Sequence, residues 1–251
     1  MIEAILPPEV AAEEAFEDVT DVVLFPEEEA VLTRAVGKRR REFTTARACA
    51  RAALARLGLP PSPIVPGLRG APQWPAGVTG SITHCAGYRA AAVARTQDVI
   101  SLGLDAEPIG PLPAGVLDVI SLEQERAQLA ELAASHPGVN WDRLLFCAKE
   151  SVYKAWFPIT RRWLDFKEAS VAFDAVPNPA APNPAPNPAG AGTFTASILV
   201  PGPVIDDRLI TSFTGRWLSS RNLLVTAITV TAPRTVREKE RAQPAEPPAT
   251  S

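Results

Sequence analysis

The order of predicted elements is the feature that most constrains the fold of this 251-residue chain. A helical pattern followed by strands occurs once before about residue 107 and again after it, without a clear sequence repeat. Helices and separate antiparallel strands mixed in this way are typical of α+β folds. We therefore predict two α+β halves, 1–106 and 107–232, with a ligand cleft between them.

Hydrophobic periodicity gives the approximate positions of these elements. Residues 1–25 indicate an irregular or short-stranded arm, and 60–75 a loop rich in proline and glycine. We expect Gly58 to end the second helix, with Pro60 and Pro61 confirming the stop. The predicted helices are about 27–34, 38–57, 122–135 and 141–156. The predicted strands are about 78–83, 90–94, 102–105, 171–173, 193–200, 209–217 and 223–230, the last four in an antiparallel sheet.

Two segments have compositions that do not support packed structure. Residues 177–192 are a Pro/Asn/Ala-rich insert between predicted strands, and 233–251 are a charged, proline-rich tail. Proline removes hydrogen-bond donors and keeps the backbone extended, so we predict that both segments are disordered.

Overall composition excludes several classes of protein. A net charge of −3 argues against a nucleic-acid binder, and three widely spaced cysteines argue against a disulfide framework or a zinc site. The N-terminal residues show neither a signal peptide nor a membrane span. These features predict a cytoplasmic protein that binds neither nucleic acid nor membrane.

The charge is distributed unevenly near the N-terminus. Every ionisable side chain between Glu3 and Glu29 is acidic, whereas nearly every one between Arg34 and Arg56 is basic. The basic segment could grip anionic groups, or it could be a solvated helix whose arginines pair with the acidic segment. RNA binding is a third interpretation, which the lack of interleaved aromatic residues weakens.

Two acidic motifs lie about forty residues apart. Alternation along a strand places Asp105 and Glu107 on one face, and Glu150 and Lys154 share a helix face at i,i+4. Taken singly, each motif is more often part of a solvated surface than of a functional site. Together, three carboxylates and a lysine suit a magnesium ion that holds a phosphate or pyrophosphate, because magnesium prefers a few carboxylates plus substrate oxygens.

Three motifs in order resemble those of the 4′-phosphopantetheinyl transferases, in the monomeric, broad-specificity class that includes the surfactin-type and enterobactin-synthetase-component-D-like enzymes. They are residues 80–85 (GSITHC), 102–107 (LGLDAE) and 146–156 (FCAKESVYKAW). The resemblance covers about residues 5–232. The one departure within the motifs is Phe146, where many members carry tryptophan. The resemblance implies two similar α+β halves related by a pseudo-twofold axis, with the active site between them.

The resemblance also implies a reaction and the residues that perform it. The phosphopantetheine arm of coenzyme A is transferred to a serine of an apo acyl or peptidyl carrier protein, and 3′,5′-ADP is released. Asp105, Glu107 and Glu150 would bind Mg²⁺, for which Mn²⁺ could substitute. Glu150 would take the serine proton, and Lys154 would hold the bridging phosphate. The catalytic residues would be Glu150, Lys154 and Asp105.

Further residues are implied to bind coenzyme A. Lys149 would lie near the same phosphates as Lys154, and His84, with Ser81 or Thr83, would grip the 3′-phosphate. Arg39, Arg47 and Arg69 would clamp the other phosphates and adenine, although Lys38, Arg40 and Arg41 are equivalent to Arg39 by charge. The first half would carry these clamps and the second half the catalytic helix.

Two other functions suit parts of the same pattern. A magnesium-dependent hydrolase of the coenzyme A pyrophosphate would use the same carboxylates, with a water in place of the serine. A catalytically silent module that only binds carrier proteins is the other alternative. Retention of Asp105, Glu107, Glu150 and Lys154 together argues against a silent module.

Overall fold

A computed structural model describes residues 1–33, 35–174 and 190–233. The helices are α1 (Pro26–Val31), α2 (Gly37–Arg56), α3 (Val116–Ile120), α4 (Glu123–Ser135) and α5 (Trp141–Thr160). The strands are β1 (Ala11–Ala15), β2 (Val78–Cys85), β3 (Tyr88–Arg95), β4 (Val99–Pro108), β5 (Ala169–Phe173), β6 (Gly190–Ile198), β7 (Val204–Ile205), β8 (Arg208–Leu209), β9 (Ser212–Ser220) and β10 (Leu223–Thr231). Short 3₁₀ helices cover Ile2–Ile5, Leu68–Gly70 and Phe166–Glu168.

The strands form two main antiparallel sheets. The smaller has the order β1-β3-β2, the larger has the order β4-β10-β9-β6-β5, and β7 and β8 form a separate hairpin. The predicted α+β class is therefore confirmed, as is the antiparallel sheet predicted from the later strands. β1 falls within the arm predicted as irregular or short-stranded, whereas α3 and the β7–β8 hairpin were not predicted as elements.

Each sheet carries one long helix on its outer face. α2 packs on the smaller sheet through Ala50, Ala53 and Leu54, and α5 packs on the larger sheet through residues such as Val152 and Trp156. Side chains from the opposite faces of both sheets share a third apolar cluster, which includes Ala90 and Ala92 of β3 and Leu102 and Leu104 of β4. This repeated pairing of sheet and twenty-residue helix gives the halves their similarity.

β4 contains the predicted boundary between the halves at residues 106 and 107. Its whole length pairs with β10, and the register places Thr226 opposite Asp105. By sheet membership, the division between the halves therefore falls between β3 and β4, while the domain assignment itself stays a prediction.

The proline-rich segments lie largely outside the described residues. Disorder predicted for residues 190–192 is wrong, because they begin β6 and pair with β9. Residues 177–189 and 234–251 are outside the described residues. In the described parts of the chain, no helix is both long enough and apolar enough to cross a membrane.

Gly103 allows α5 to lie unusually close to β4. A Cβ atom at this position would lie 2.0 Å from the carbonyl oxygen of Ser151 and 2.8 Å from the backbone nitrogen of Ala155. The Ser101 hydroxyl donates a hydrogen bond to the Ala155 carbonyl at 2.7 Å. The helix and strand are therefore in backbone contact over one turn.

We expect Gly103→Ala to destabilise the protein by about 2 kcal/mol or more, because the methyl group meets backbone and not a flexible side chain. Urea unfolding measures the loss. Gly138→Ala is the matched control, since a Cβ there meets nothing within 4 Å. Equal stability of the two variants would contradict the steric argument.

Candidate active site

The face of β4 that carries the acidic motif points towards α5. Gly103, Asp105 and Glu107 alternate with Leu102 and Leu104, which are fully buried in the apolar cluster between the sheets. Because Gly103 contacts α5, the carboxylates that follow it on the same face lie beside the helix. The expectation that Asp105 and Glu107 share a face opposite the leucines is confirmed.

Asp105 is held by one residue from each side of the cleft. Lys154 Nζ of α5 donates a hydrogen bond to Asp105 Oδ1 at 2.7 Å, and Thr83 Oγ1 of β2 donates to the same oxygen at 3.2 Å. The second oxygen, Oδ2, is buried and has no hydrogen-bond partner in the described structure. A buried carboxylate oxygen without a hydrogen-bond donor is energetically costly.

Glu107 already has a cationic partner. Arg143, in the first turn of α5, donates from Nη1 to Glu107 Oε2 at 3.0 Å and also bonds the carbonyls of Gly110 and Pro111. Burial and the charge of Asp105 nevertheless raise the pKa of Glu107. The sequence motifs did not single out Arg143, whose partner lies 36 residues away.

Glu150 and Lys154 face the same cavity, as their i,i+4 spacing predicts. Burial and the nearby charge of Asp105 raise the pKa of the half-buried Glu150. Burial opposes the charged form of Lys154, but the Asp105 carboxylate outweighs it and raises the pKa of Lys154. Three carboxylates thus crowd around one lysine and one arginine.

The carboxylates of Asp105, Glu107 and Glu150 are the groups that could hold a divalent cation. Among the described residues, no group of three or more His, Cys, Asp or Glu side chains is arranged to hold a metal ion. The chemistry of the residues nonetheless fits. Asp105 Oδ2 is unpartnered, and mutual repulsion contributes to raising the pKa of both Glu107 and Glu150. Oxygen ligands with excess negative charge suit Mg²⁺ or Mn²⁺.

A large cavity opens beside this acidic centre. Its volume is about 860 Å³, and its wall combines residues of both halves. Ser81 also lines it, buried at the β2 edge. The basic side chains that line the cavity are Arg39, Arg47, Arg69, His84, Lys154 and Arg161. Arg161 was not predicted and follows the last turn of α5 with a left-handed backbone.

Arg39 and His84 come together on the cavity wall. Arg39 Nη1 lies 2.7 Å from His84 Nε2. Although the His84 side chain remains exposed, its partial burial and the positive charge of Arg39 lower the pKa of His84. Arg39 is therefore the member of the basic segment that meets the predicted phosphate-binding histidine.

Arg47 and Arg69 are positioned by different means. The Arg47 guanidinium lies 3.8 Å from the Phe43 ring centroid, and its Nε donates to the Ile64 carbonyl at 2.6 Å. Burial lowers the pKa of Arg47 to about 10. Arg69 has φ 55° in the loop before β2 and lies 5.0 Å above the Trp163 ring. That contact joins the two sides of the cavity.

Ser81 and Thr83 differ in what their hydroxyl groups do. Ser81 Oγ accepts a hydrogen bond from the Leu104 amide at 3.0 Å, so its own proton remains available. Thr83 is 2 % exposed, donates its proton to Asp105 and does not line the cavity. The Thr83 hydroxyl is thus engaged by Asp105, and its implied contact with a phosphate stays a prediction.

The structure places Lys149 in a buried network and not on the wall of the large cavity, and its predicted contact with the phosphates stays a prediction. Its Nζ lies 2.9 Å from Glu125 Oε2 and donates to the carbonyls of Phe166 and Ala169. Glu125 also accepts the amides of Leu122 and Val171. Lys149 is 100° round the helix from Glu150, so its ammonium is buried in a network that joins α4, α5 and β5.

A second, smaller cavity adjoins the first. Its volume is about 140 Å³, and Glu150 and Tyr153 line both cavities. The Tyr153 hydroxyl is buried without a hydrogen-bond partner in the described structure. The sequence motifs did not single out Trp163, whose ring lies 5.0 Å from the Tyr153 ring.

Most of the basic segment pairs with acidic side chains. Arg40 pairs with Glu29 at 2.6 Å, Arg41 with Asp18 at 3.5 Å, and Arg51 with Glu28 at 2.8 Å. Arg56 contacts Glu3 and Glu13. For Arg40, Arg41 and Arg56 the structure agrees with the interpretation of a solvated helix paired with the N-terminal segment, whereas the Arg51–Glu28 pair is largely buried. Arg39 and Arg47 line the cavity.

Comparison with known proteins defines the class. The profile described as the 4′-phosphopantetheinyl transferase N-terminal domain matches residues 27–94, and that of the 4′-phosphopantetheinyl transferase superfamily matches residues 101–194. Together they cover more than half of the chain. The chain belongs to the 4′-phosphopantetheinyl transferase family, and the family assignment from the three motifs is confirmed.

Curated relatives support this assignment along almost the whole chain. The chain is 56% identical to the 4′-phosphopantetheinyl transferase Svp of Streptomyces mobaraensis, over 95% of this chain and 93% of that protein. It is 49% identical to Npt of Nocardia iowensis (91% and 99% covered) and 44% identical to PptT of Mycobacterium tuberculosis (91% and 97% covered), both also named 4′-phosphopantetheinyl transferases. The transferase is thus the function selected among the three considered.

We expect Lys149→Met to destabilise the fold by about 3–5 kcal/mol, because it leaves the buried Glu125 carboxylate without its cation. Urea unfolding measures the loss, and the exposed Lys167→Met is the control. If Lys149→Met unfolds at the same urea concentration as the wild type, the network of Lys149 and Glu125 does not stabilise the fold. The predicted position of Lys149 near the phosphates would then gain support.

Proposed function

We propose that this transferase moves the 4′-phosphopantetheine arm of coenzyme A to a serine of apo acyl or peptidyl carrier proteins and releases 3′,5′-ADP. The observation that carries the proposal is the meeting of Asp105, Glu150 and Lys154 beside a cavity lined by basic side chains. An anionic ligand with a diphosphate suits that wall, and the carboxylates suit a cation that accompanies the diphosphate.

The two cavities suggest where the parts of coenzyme A bind. The nucleotide end occupies the larger cavity, with its 3′-phosphate at Arg39 and His84 and its other phosphates near Arg47, Arg69 and Lys154. The pantetheine arm enters the smaller cavity past Tyr153, whose unpartnered hydroxyl can bond an amide of the arm. The diphosphate then lies next to Glu150, which lines both cavities.

Glu150 is the group that accepts the proton of the carrier serine. The serine oxygen forms a bond to the phosphorus next to the pantetheine arm, and the bond from that phosphorus to the leaving 3′,5′-ADP breaks. A raised pKa makes the Glu150 carboxylate a better proton acceptor than an exposed glutamate. Lys154, held by Asp105, directs its positive charge to the phosphate oxygens.

Asp105 and Glu150 would hold Mg²⁺, with Glu107 as a further ligand directly or through a water. Mn²⁺ suits the same oxygen ligands. The metal would neutralise charge on the leaving diphosphate. To bind the metal as well, Glu107 must share its carboxylate between the cation and Arg143, which donates a hydrogen bond to Oε2.

We further propose that the protein acts as a monomer in the cytoplasm, without nucleic acid or membrane. The described parts of one chain supply both walls of the cavity. All three cysteines are free thiols, as in a reducing compartment.

We expect Glu150→Gln to lower the transfer rate by about 10²–10⁴-fold, because the amide can neither accept the proton nor bind the metal well. The mass gain of an apo carrier protein, with coenzyme A and Mg²⁺, measures transfer. Glu131→Gln, on an exposed surface of α4, is the control. A normal transfer rate in a folded Glu150→Gln variant would exclude Glu150 as the general base.

We expect 3′,5′-ADP to bind more tightly as the pH falls towards 6, with proton uptake. The pKa of His84 is lowered in the free protein, and a neighbouring phosphate stabilises the imidazolium and raises it. Calorimetry in buffers of different ionisation enthalpy measures the uptake. In the His84→Asn variant, any remaining pH dependence comes from titration of 3′,5′-ADP itself. Identical pH profiles of binding for the wild type and this variant would therefore contradict a contact between His84 and the phosphate.

A further inference from the structure

We propose that Glu28, together with its partner Arg51, is a positioning residue that fixes the guanidinium of Arg47 on the wall of the large cavity. Arg47 lines that cavity, whereas Glu28 and Arg51 lie behind its wall and act on a ligand only through Arg47. The inference deepens the proposed function and rests on it, because it concerns how the nucleotide end of coenzyme A is held.

The Glu28 carboxylate joins three separate parts of the first half. It is fully buried at the start of α1, and its Oε2 accepts the Phe25 amide at 3.1 Å. The same oxygen accepts Arg51 Nη1 of α2 at 2.8 Å, and Oε1 accepts the Ile64 amide at 2.9 Å. A buried carboxylate without its cation is costly, so the pair with Arg51 keeps Glu28 in place.

Ile64 is held from two helices at once. Its amide bonds to Glu28 of α1, and its carbonyl accepts Arg47 Nε of α2 at 2.6 Å. The Ile64 side chain is fully buried in the apolar cluster beneath α2. Only two backbone dihedrals separate the amide of a residue from its carbonyl. Fixing the amide and burying the side chain therefore also fixes the carbonyl that receives Arg47.

Arg47 depends on this fixed carbonyl for its direction. A long arginine side chain has many rotamers, and ordering it costs entropy. The Phe43 ring, 3.8 Å from the guanidinium, covers one face, and Nε is the one Arg47 nitrogen that forms a hydrogen bond in the described parts of the chain. The two Nη groups are left for a phosphate. Burial lowers the pKa of Arg47, and the charge of Glu28 opposes that effect, which favours the cation that a phosphate requires.

The test separates the positioning of Arg47 from general stability. Glu28→Gln is nearly isosteric, but its amide places a donor against groups that are themselves donors. Val93→Ala is the matched control, since it removes two methyl groups from the core beneath α2 and leaves the bonds of Glu28 intact. Thermal unfolding shows that each protein is folded. Calorimetry in excess chelator measures the affinity for 3′,5′-ADP.

We expect Glu28→Gln to weaken 3′,5′-ADP binding about tenfold, as when a hydrogen bond to a charged group is lost, and Val93→Ala to change it less than about twofold. In an Arg47→Met background, adding Glu28→Gln should change the affinity by less than about twofold, because both substitutions remove the same contact. The KM for coenzyme A should rise, whereas the KM for an apo carrier protein should stay within about twofold of wild type.

Two further measurements apply if Glu28→Gln does not fold. Glu28→Asp keeps the charge for Arg51 but is one methylene shorter, so it cannot reach all three donors. It should weaken 3′,5′-ADP binding in the same direction, and again only while Arg47 is present. In the folded wild type, NMR should show the Arg47 Nε proton exchanging with solvent far more slowly than that of the exposed Arg40. Equal exchange rates would disprove the contact with Ile64.

Three results of the binding experiment would overturn the proposal. Normal 3′,5′-ADP binding by a folded Glu28→Gln variant would make the carboxylate dispensable. An equal loss with and without Arg47 would show that Glu28 does not act through Arg47. An equal loss in Val93→Ala would attribute the effect to lower stability. The proposed function fails in a different way, through a wild type that neither binds 3′,5′-ADP nor modifies a carrier protein, or through normal 3′,5′-ADP binding by Arg47→Met.

Discussion

The backbone contact between α5 and β4 at Gly103 determines where the proposed catalytic groups meet. A side chain at this position would overlap the Ser151 carbonyl, so the helix could not rest on the strand. Asp105 lies two residues further along β4, and Glu150 and Lys154 directly precede Ser151 and Ala155, the two α5 residues that Gly103 meets. Close packing of these elements brings the lysine within 2.7 Å of Asp105. The chemistry therefore depends on a position that carries no functional group.

The acidic centre of Asp105, Glu107 and Glu150 differs from other buried charges of the molecule in how incompletely its carboxylates are paired. Glu28 pairs with Arg51 and also accepts the Phe25 and Ile64 amides. Glu125 is matched equally fully by Lys149 and two amides. At the acidic centre, by contrast, Asp105 keeps a bare oxygen, and burial and repulsion raise the pKa of Glu150. Incompletely compensated charge in one cleft is typical of a site that awaits a charged ligand.

The sequence predicted most elements because their periodicity is strong. α2, α5 and the β2–β3 hairpin follow it closely. The sequence allowed a short strand in the N-terminal arm but did not locate β1, because Ala11–Ala15 has no alternating apolar pattern and forms a strand by pairing with β3. The motifs predicted which residue types form the candidate site, but not where each side chain points. Lys149 and Lys154 belong to one motif, yet the first finds Glu125 in the core, a partner that only the tertiary fold reveals.

The junction of the two sheets explains why residues of β2 act on residues of β4. Both are edge strands, and neither pairs with the other by a backbone ladder. Ser81 and Thr83 instead reach across to Leu104 and Asp105 through their hydroxyl groups. The unpaired backbone groups of an edge strand can pair with another strand, and here side-chain hydroxyl groups of β2 contact the edge of β4 instead. A continuous ladder would fix the halves by backbone alone. The hydroxyl contacts instead make the position of Asp105, the proposed metal ligand, depend on how the two sheets meet.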